Sequence, residues 1–309
     1  MEGFGYLLAS NILGGASYVM TAWALTGFTP IEVVFWRTLL TAALFLPFVR
    51  GPRPGREDVC RIAIVGVFGY ALPLVIGTVG QRLSSATLAS ILIGVEPASI
   101  VLLSWLLLGE RLTRGKSLGL VAGVLGGALV TLQGRLPALH SLSGELGGNL
   151  LLTLHGFCWS LYTVVGKPSV RRLGAVRFTA LAMLAALPPV ALAACPWVAP
   201  HLGLGAGLGR GLGSAASSAW LAVAPLSLGP GVAACVLWNL ALELVDASRL
   251  AHFIFLQPVV GIGLGLLVER KPLSPWSIAG ACCIGIGIFA AARAPARTTQ
   301  SVRPQEDGR

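Results

Sequence analysis

The sequence predicts an all-α, polytopic membrane protein with ten transmembrane helices in two inverted-topology repeats of five helices each. Three observations lead to this fold class. The composition is too apolar for a water-exposed surface, ten long apolar stretches follow one another along the chain, and the second half of the chain repeats the pattern of the first.

The composition excludes an ordinary soluble domain. The 309-residue chain is 55% hydrophobic and only 11% charged, whereas soluble domains carry about 25% charged residues.

A helix needs roughly 20 residues to cross ~30 Å of hydrocarbon. We interpret the Gly-rich stretch 202–213 as a loop, and the fifth apolar stretch is short, so nine or eleven helices remain alternatives. The ten predicted helices lie at about 4–25, 31–49, 62–80, 86–108, 117–133, 146–166, 176–195, 219–242, 248–268 and 276–293.

An offset of 161 residues relates the two halves of the chain. Residues 85–113 and 246–274 then align, with Glu96-Pro97 on Gln257-Pro258 near the middle of each apolar run. The same offset pairs two glycines of the fifth predicted helix with two of the tenth, Gly119 with Gly280 and Gly126 with Gly287. A half-length repeat of membrane-spanning segments is typical of transporters that arose by duplication.

The number of helices in each half determines how the halves are oriented. Five predicted helices per half is an odd number, so the second copy enters the membrane from the other side and the repeat is inverted. We therefore predict a first repeat at 1–133, a connecting loop at 134–145 and a second repeat at 146–293. The charged tail at 294–309 is predicted to be disordered and cytoplasmic.

The net charge of +10 is distributed as membrane topology requires. Sixteen Lys and Arg residues fall in loops and the tail on the side of the N-terminus, and five fall in loops on the other side. This positive-inside bias predicts that both termini are cytoplasmic. It also argues against nucleic acid as a partner, because the basic residues are explained by topology.

The motifs of both halves resemble one transporter family. SATLASILIGVEPA at 85–98, LLLGERLT at 106–113 and GLVAGVLGG at 119–127 are similar to EamA-type members of the drug/metabolite transporter superfamily. The second copy, ASRLAHFIFLQPVV with VERKPLS, matches more weakly. The resemblance extends from Tyr6 to about Ala292. It implies a secondary transporter that exports amino acids, metabolites or drugs by alternating access, usually coupled to an ion gradient.

Glu96 is the clearest candidate for a functional residue. It lies about ten residues into the fourth predicted helix, ~15 Å deep at 1.5 Å per residue and close to the bilayer midplane. A charge at this depth costs on the order of 3 kcal/mol or more, so such a carboxyl group is functional by default or protonated. Glu96 would then load and release a proton as water access changes. The alternative is a protonated Glu96 that serves packing alone.

Arg37 is the second charged candidate and lies in the second predicted helix, ~9 Å from its outer end. Arginine keeps its charge, so it needs a carboxylate, a carbonyl or an anionic substrate. Glu96 is a candidate partner, and in our hypothesis this pair separates when a substrate carboxylate binds Arg37. The alternative is that Arg37 extends its side chain to the lipid headgroups.

Aromatic and amide residues provide further candidates. His155, Trp159 and Tyr162 share one helix face at i, i+4 and i+7, which would form a pocket wall for an amphipathic solute. The other candidate cavity residues are Tyr18, Asn11, His252 and Gln257. Interhelical hydrogen bonds and interface anchoring are the alternative roles.

Pro97 and Pro258 occupy equivalent positions in the two copies. Proline removes a backbone hydrogen bond and bends its helix, so we predict hinges at both positions.

The sequence favours export of a small amino-acid-like metabolite across the bacterial inner membrane, with proton coupling through Glu96. Drug or cation efflux by the same fold is one alternative, and a polytopic membrane enzyme acting on lipids is an alternative of another class. We expect no enzyme activity, cofactor or metal, because no metal-ligand or catalytic spacing is present. The expected partners are a small-molecule substrate, the lipid bilayer and protons, in a monomer or homodimer.

Overall fold

Ten helices, α1 to α10, make up the fold in a computed structural model that describes residues 2–109, 113–132, 134, 144–198, 217–244, 247–269 and 273–292. The regular structure of these residues is entirely helical. The all-α, polytopic fold predicted from the sequence is therefore confirmed. The helices are α1 (Glu2–Ala24), α2 (Pro30–Phe45, with a 3-10 turn Leu46–Val49), α3 (Arg56–Leu83), α4 (Ala86–Leu108), α5 (Arg114–Leu132), α6 (Glu145–Leu173), α7 (Ala175–Val198), α8 (217–244), α9 (247–269) and α10 (Pro275–Ala292).

Five of the described helices are long and apolar enough to cross a membrane on length and composition alone, namely α2 with its 3-10 turn, α3, α4, α7 and α8. Shorter apolar helical segments lie in α5, α9 and α10. Apolar side chains such as Leu192 and Leu267 are exposed on the outside of the bundle. A bundle of this kind is stable only where its apolar surface faces lipid.

Two helices extend at one end by six or more residues beyond their predicted bounds. Helix α3 begins at Arg56, six residues before the predicted start at 62, and α6 ends at Leu173, seven residues after the predicted end at 166. Charged residues such as Arg172, which were counted in loops, therefore lie in helices. Helix α6 ends only where Gly174 adopts a φ of 82°, a conformation that favours glycine. The predicted loop 202–213, most of the connection 134–145 and the tail 294–309 lie outside the described residues.

The two halves carry the same helix interruptions at equivalent positions. In the third helix of each half, π-helical segments occur at Val65–Ala71 in α3 and at Ser227–Ala234 in α8. In the fourth, 3-10 turns occur at Ile93–Val95 in α4 and at Ala251–Phe255 in α9. The π-helical segments and the 3-10 turns thus occur at matching places in both halves. Because they are features of the backbone, they support the internal repeat without reference to which residues are identical.

Close packing of α5 against α10 also shows the two-fold relationship between the halves. A Cβ added to Gly126 would lie 2.6 Å from the carbonyl oxygen of Gly280, and a Cβ on Gly287 would lie 3.0 Å from that of Gly119. The 161-residue offset relates Gly126 to Gly287 and Gly119 to Gly280, so the two contacts are equivalent under the repeat. Only glycine permits this approach. Elsewhere, helices of one half pack on those of the other: α1 on α8 and α9, α6 on α3 and α4, and α2 on α7.

Polar contacts identify the two faces of the bundle. At the face where α1 begins and α10 ends, which we call the terminal face, Asp58 of α3 contacts Ser169 and Arg172 of α6. At the opposite face, Ser84 after α3 contacts Asn149 in the first turns of α6. Helices α3 and α6 are therefore antiparallel over their whole length.

Candidate functional site

A cavity with a volume of about 90 Å³ lies inside the bundle, between helices of both halves. Its walls come from α1, α2, α3, α4, α6, α8 and α9. This volume is enough for several water molecules. Seven of the nine binding residues predicted from the sequence line it: Tyr18, Arg37, Glu96, His155, Trp159, Tyr162 and Gln257.

Glu96 is positioned where the backbone of α4 changes from a 3-10 turn to an α-helix. Its side chain lines the cavity and the residue is only 1% exposed. Its Oε2 atom is buried and has no hydrogen-bond partner among the described residues. Gly156 of α6 packs against this part of α4, because a Cβ there would lie 3.5 Å from the Glu96 backbone nitrogen. A buried, unsatisfied carboxyl oxygen can accept a ligand hydrogen bond or carry a proton.

Arg37 of α2 lines the same cavity and is 8% exposed. Its Nε atom is buried without a partner in the described part of the chain. The ion pair with Glu96 that we predicted is not formed, since no contact within 4.0 Å joins their charged atoms. Tyr18 of α1 lines the same cavity as both residues. Arg37 and Glu96 thus line one cavity without forming a direct ion pair.

The aromatic wall on α6 forms as the i, i+4, i+7 spacing predicts. The rings of His155 and Trp159 stack at 5.9 Å and 25°, and those of Trp159 and Tyr162 stack at 5.8 Å and 13°. His155 Nδ1 lies 2.7 Å from the Pro73 carbonyl oxygen of α3, so this nitrogen carries the ring proton. A Cβ on Gly77 would overlap with His155, so α3 needs glycine here. The wall gives a flat apolar surface with polar edges.

Gln257 and Asn11 connect α9 to α1 beside the cavity. Gln257 Nε2 donates a 3.0 Å hydrogen bond to Asn11 Oδ1. Gly14 and Gly15 face Gln257, and a Cβ on Gly15 would lie 2.7 Å from the Gln257 carbonyl oxygen. Asn11 is fully buried and does not line the cavity, so its predicted place in the wall is corrected to a contact behind Gln257. The side chain of His252 lies outside the described residues.

The two predicted hinge prolines follow the 3-10 turns. Pro97 is the second residue of the α-helical segment Glu96–Leu108, and Pro258 is the third of Leu256–Glu269. Proline has no backbone N–H to donate. At both positions this donor is missing shortly after a 3-10 turn, where the α-helical hydrogen-bond pattern is already interrupted.

Several cavity residues were not among our predictions. Thr21, Thr78, Gln81 and Trp238 line the cavity together with Ser10 and Ser17. Gln81 is a polar residue near the end of an apolar helix. In the sequence it therefore resembles an ordinary polar residue at the membrane border. Small hydroxyl side chains occur throughout the helices, so only three-dimensional packing distinguishes those that face the cavity. No cluster of three or more His, Cys, Asp or Glu side chains suited to a metal occurs in the described portion.

Comparison with known proteins identifies the family. A sequence model described as the EamA-like transporter family matches residues 1–132 and 146–293. The chain belongs to the EamA-like transporter family. The resemblance read from the motifs is therefore confirmed, and the two separate matches correspond closely to the two halves of this EamA-like chain.

Relatives of this EamA-like chain are transporters of undefined substrate. The uncharacterized transporter YyaM of Bacillus subtilis is 25% identical over 305 residues, which cover 92% of both chains. An uncharacterized transporter of Archaeoglobus fulgidus is 23% identical over 281 residues, covering 90% of this chain and 94% of the relative. A solved crystal structure superposes with a TM-score of 0.65 at 21% identity, over 94% of this chain and 97% of the other, which supports the fold.

Proposed function

We propose that this protein is a secondary transporter that exports a small amino-acid-like metabolite across the bacterial inner membrane by alternating access. Its family is one of membrane transporters, so a multi-pass membrane location and a small-molecule substrate follow. The observation that carries the finer proposal is the pair of buried, unpaired polar atoms, Glu96 Oε2 and Arg37 Nε, on the wall of one cavity.

In this proposal the two charged residues recognise the two ends of a zwitterion. Arg37 presents a guanidinium group to the substrate carboxylate, for which a planar donor pair is well suited. Glu96 accepts a hydrogen bond from the substrate amine, or takes a proton when the site is empty. The stacked His155, Trp159 and Tyr162 rings contact the apolar part of the substrate.

Alternating access is proposed to arise from the two repeats, 1–133 and 146–293, moving relative to each other. An inverted pair of similar halves has two related low-energy arrangements, one open to each side of the membrane. Pro97 and Pro258 lie beside 3-10 turns next to the cavity, which is a suitable place for hinges.

The proposed orientation places the terminal face in the cytoplasm. The positive-inside bias of 16 basic residues against 5 supports it. Arg61, Arg171, Arg172 and Arg177 all lie near helix ends at this face.

Counterflow in proteoliposomes tests the proposal. Vesicles containing the purified protein are loaded with single metabolites from an amino-acid-like library, and uptake of the labelled compound is measured with a pH-sensitive dye inside. We expect saturable exchange of a zwitterionic compound and a proton signal that depends on it. Absence of saturable flux for every zwitterion would contradict the proposal.

Cation efflux is a second candidate, favoured by a specific observation. An unpaired carboxyl oxygen beside stacked aromatic rings is a suitable site for an organic cation. In that case Glu96 would exchange a cation for a proton, and the same vesicles would take up lipophilic cations but no zwitterion.

A further inference from the structure

The seams between α1 and α3 and between α6 and α8 border the cavity and are crossed by long polar side chains. Helix α1 meets α3 mainly through the segment Leu72–Leu83, and α6 meets α8 mainly through Cys235–Leu244. Each of these segments follows the π-helical interruption of its helix. At both seams backbone packing is sparse, and long polar side chains cross between the helices.

At the opposite face, two side chains of α3 reach backbone atoms of α1. Gln81 Nε2 donates a 2.6 Å hydrogen bond to the Tyr18 carbonyl oxygen, and both residues line the cavity. Arg82 Nη1 donates a 3.0 Å hydrogen bond to the Leu25 carbonyl oxygen, one residue after the end of α1. We call Gln81 and Arg82 with these acceptors the α1–α3 bridge.

Nearer the terminal face, two side chains of α8 reach α6. Asn239 Nδ2 donates a 2.7 Å hydrogen bond to the Tyr162 hydroxyl, and Trp238 Nε1 donates a 3.1 Å hydrogen bond to the Thr163 hydroxyl. Tyr162 and Trp238 both line the cavity. We call these four residues the α6–α8 bridge.

The two bridges are related by the internal repeat. Each joins the first helix of a half to the third helix of the same half, beyond the π-helical segment. Because the repeat is inverted, they lie toward opposite faces of the membrane with the cavity between them. Both bridges are formed in this structure.

We propose that the α1–α3 bridge and the α6–α8 bridge are the two gates of the transport cavity, and that they open alternately. Each gate consists of hydrogen bonds that individually contribute little, so thermal motion can break one gate at a time. When one gate breaks, the cavity becomes accessible from the membrane face at which that gate lies. The population then shifts away from the state that is open at the opposite membrane face. The inference rests on the cavity being the proposed transport site.

The contact between α3 and α6 serves as a reference for a seam that does not open. Gly69, Gly77 and Gly80 of α3 each pack directly against α6, from Tyr162 to Gly148. Ser84 adds a 2.6 Å hydrogen bond to Asn149 at the opposite face. Because backbone packing closes this seam, loss of the Ser84 hydroxyl should leave the access to the cavity unchanged.

Thiol labelling of the cavity tests the proposal without any substrate. Cys235 lines the cavity, so it is kept as the reporter in a background that carries Cys60→Ala, Cys158→Ala, Cys195→Ala, Cys282→Ala and Cys283→Ala. The rate of labelling by a membrane-impermeant methanethiosulfonate is measured in spheroplasts and in inverted vesicles. The variants are Gln81→Ala, Asn239→Ala and, as the matched control, Ser84→Ala.

We expect Gln81→Ala to accelerate labelling about fivefold from one side of the membrane and to slow it from the other, with Asn239→Ala showing the reverse. Ser84→Ala should resemble the background. Gln81→Met and Arg82→Ala replace Gln81→Ala if its size-exclusion profile shows unfolding. Changes of the same sign on both sides, or no change in folded variants, would overturn the gate assignment. If the labelling rates change in opposite directions as expected but counterflow detects no transport, only the proposed substrate is refuted.

Discussion

Gln257 in α9 and Asn11 in α1 are joined by a 3.0 Å hydrogen bond between their side chains, although they are 246 residues apart in sequence. Asn11 in turn donates a 2.7 Å hydrogen bond to the Leu7 carbonyl oxygen within its own helix. Gln257 occupies the position in the second repeat that Glu96 occupies in the first. The equivalent positions therefore differ in role. The Gln257 amide forms a contact between two helices, whereas the Glu96 carboxyl group keeps one oxygen without a hydrogen-bond partner among the described residues.

A double-mutant cycle should detect the contact between Asn11 and Gln257. We expect Asn11→Ala and Gln257→Ala each to destabilise the protein, with a coupling free energy of about 0.6 kcal/mol, as is typical for interhelical hydrogen bonds in membranes. Unfolding by SDS in mixed micelles measures it. Strictly additive single-mutant effects would show that the bond makes no net contribution.

Gly77→Ala should displace His155 from the aromatic wall. The added methyl group would overlap with the imidazole ring, so we expect a destabilisation of about 1–3 kcal/mol and a loss of transport. Thermal unfolding and counterflow measure the two effects. Gly263→Ala is the matched control, because a Cβ there meets nothing within 4 Å. Equal behaviour of the two variants would refute the packing argument.

Glu96→Gln should abolish proton-coupled flux and leave folded protein in the membrane. The amide keeps the shape of the side chain but cannot release a proton. Transport driven by a pH gradient is compared with exchange at equal pH, where we expect residual activity. The control is Glu57→Gln, whose side chain is 74% exposed at the terminal face. Full gradient-driven transport by the Glu96 variant would remove this residue from the coupling mechanism.

Arg37→Glu should eliminate transport of a substrate that carries a carboxylate. Two acidic residues would then face the same cavity and repel the anionic group. Arg37→Lys keeps the charge and loses the planar donor pair, so we expect about tenfold to hundredfold weaker binding. Counterflow at several substrate concentrations measures both. Normal transport by Arg37→Glu would favour the cation candidate over the zwitterion.

Asp58→Ala should weaken the terminal-face end of the α3–α6 seam. Asp58 Oδ1 accepts a 2.6 Å hydrogen bond from Ser169 and a 2.7 Å hydrogen bond from Arg172. Because the Arg172 side chain is 47% exposed, solvent screens the ion pair, and we expect a loss of only about 1–2 kcal/mol. Glu57→Ala, which removes a longer contact to the same arginine, should change stability by less than about 0.5 kcal/mol. A larger effect at Glu57 would contradict this ranking.

Local features of the sequence predicted much of the candidate site. Glu96 and Arg37 could be found because a charge inside an apolar run is costly and therefore conspicuous. The wall of His155, Trp159 and Tyr162 follows from helical spacing alone. Gln81 and Asn239 could not be found in this way, because an amide near the end of a helix is not unusual.

The sequence by itself determined the membrane environment and predicted ten helices in two related halves, since composition, helix length and repeat offset are properties of the chain. Only the tertiary structure decided that Arg37 and Glu96 share a cavity without pairing, and that Asn11 lies behind Gln257. It also decided which polar side chains cross the α1–α3 and α6–α8 seams. The physical reason is that these relationships depend on helix rotation and on where glycine allows close approach, and residues far apart in the sequence jointly set both.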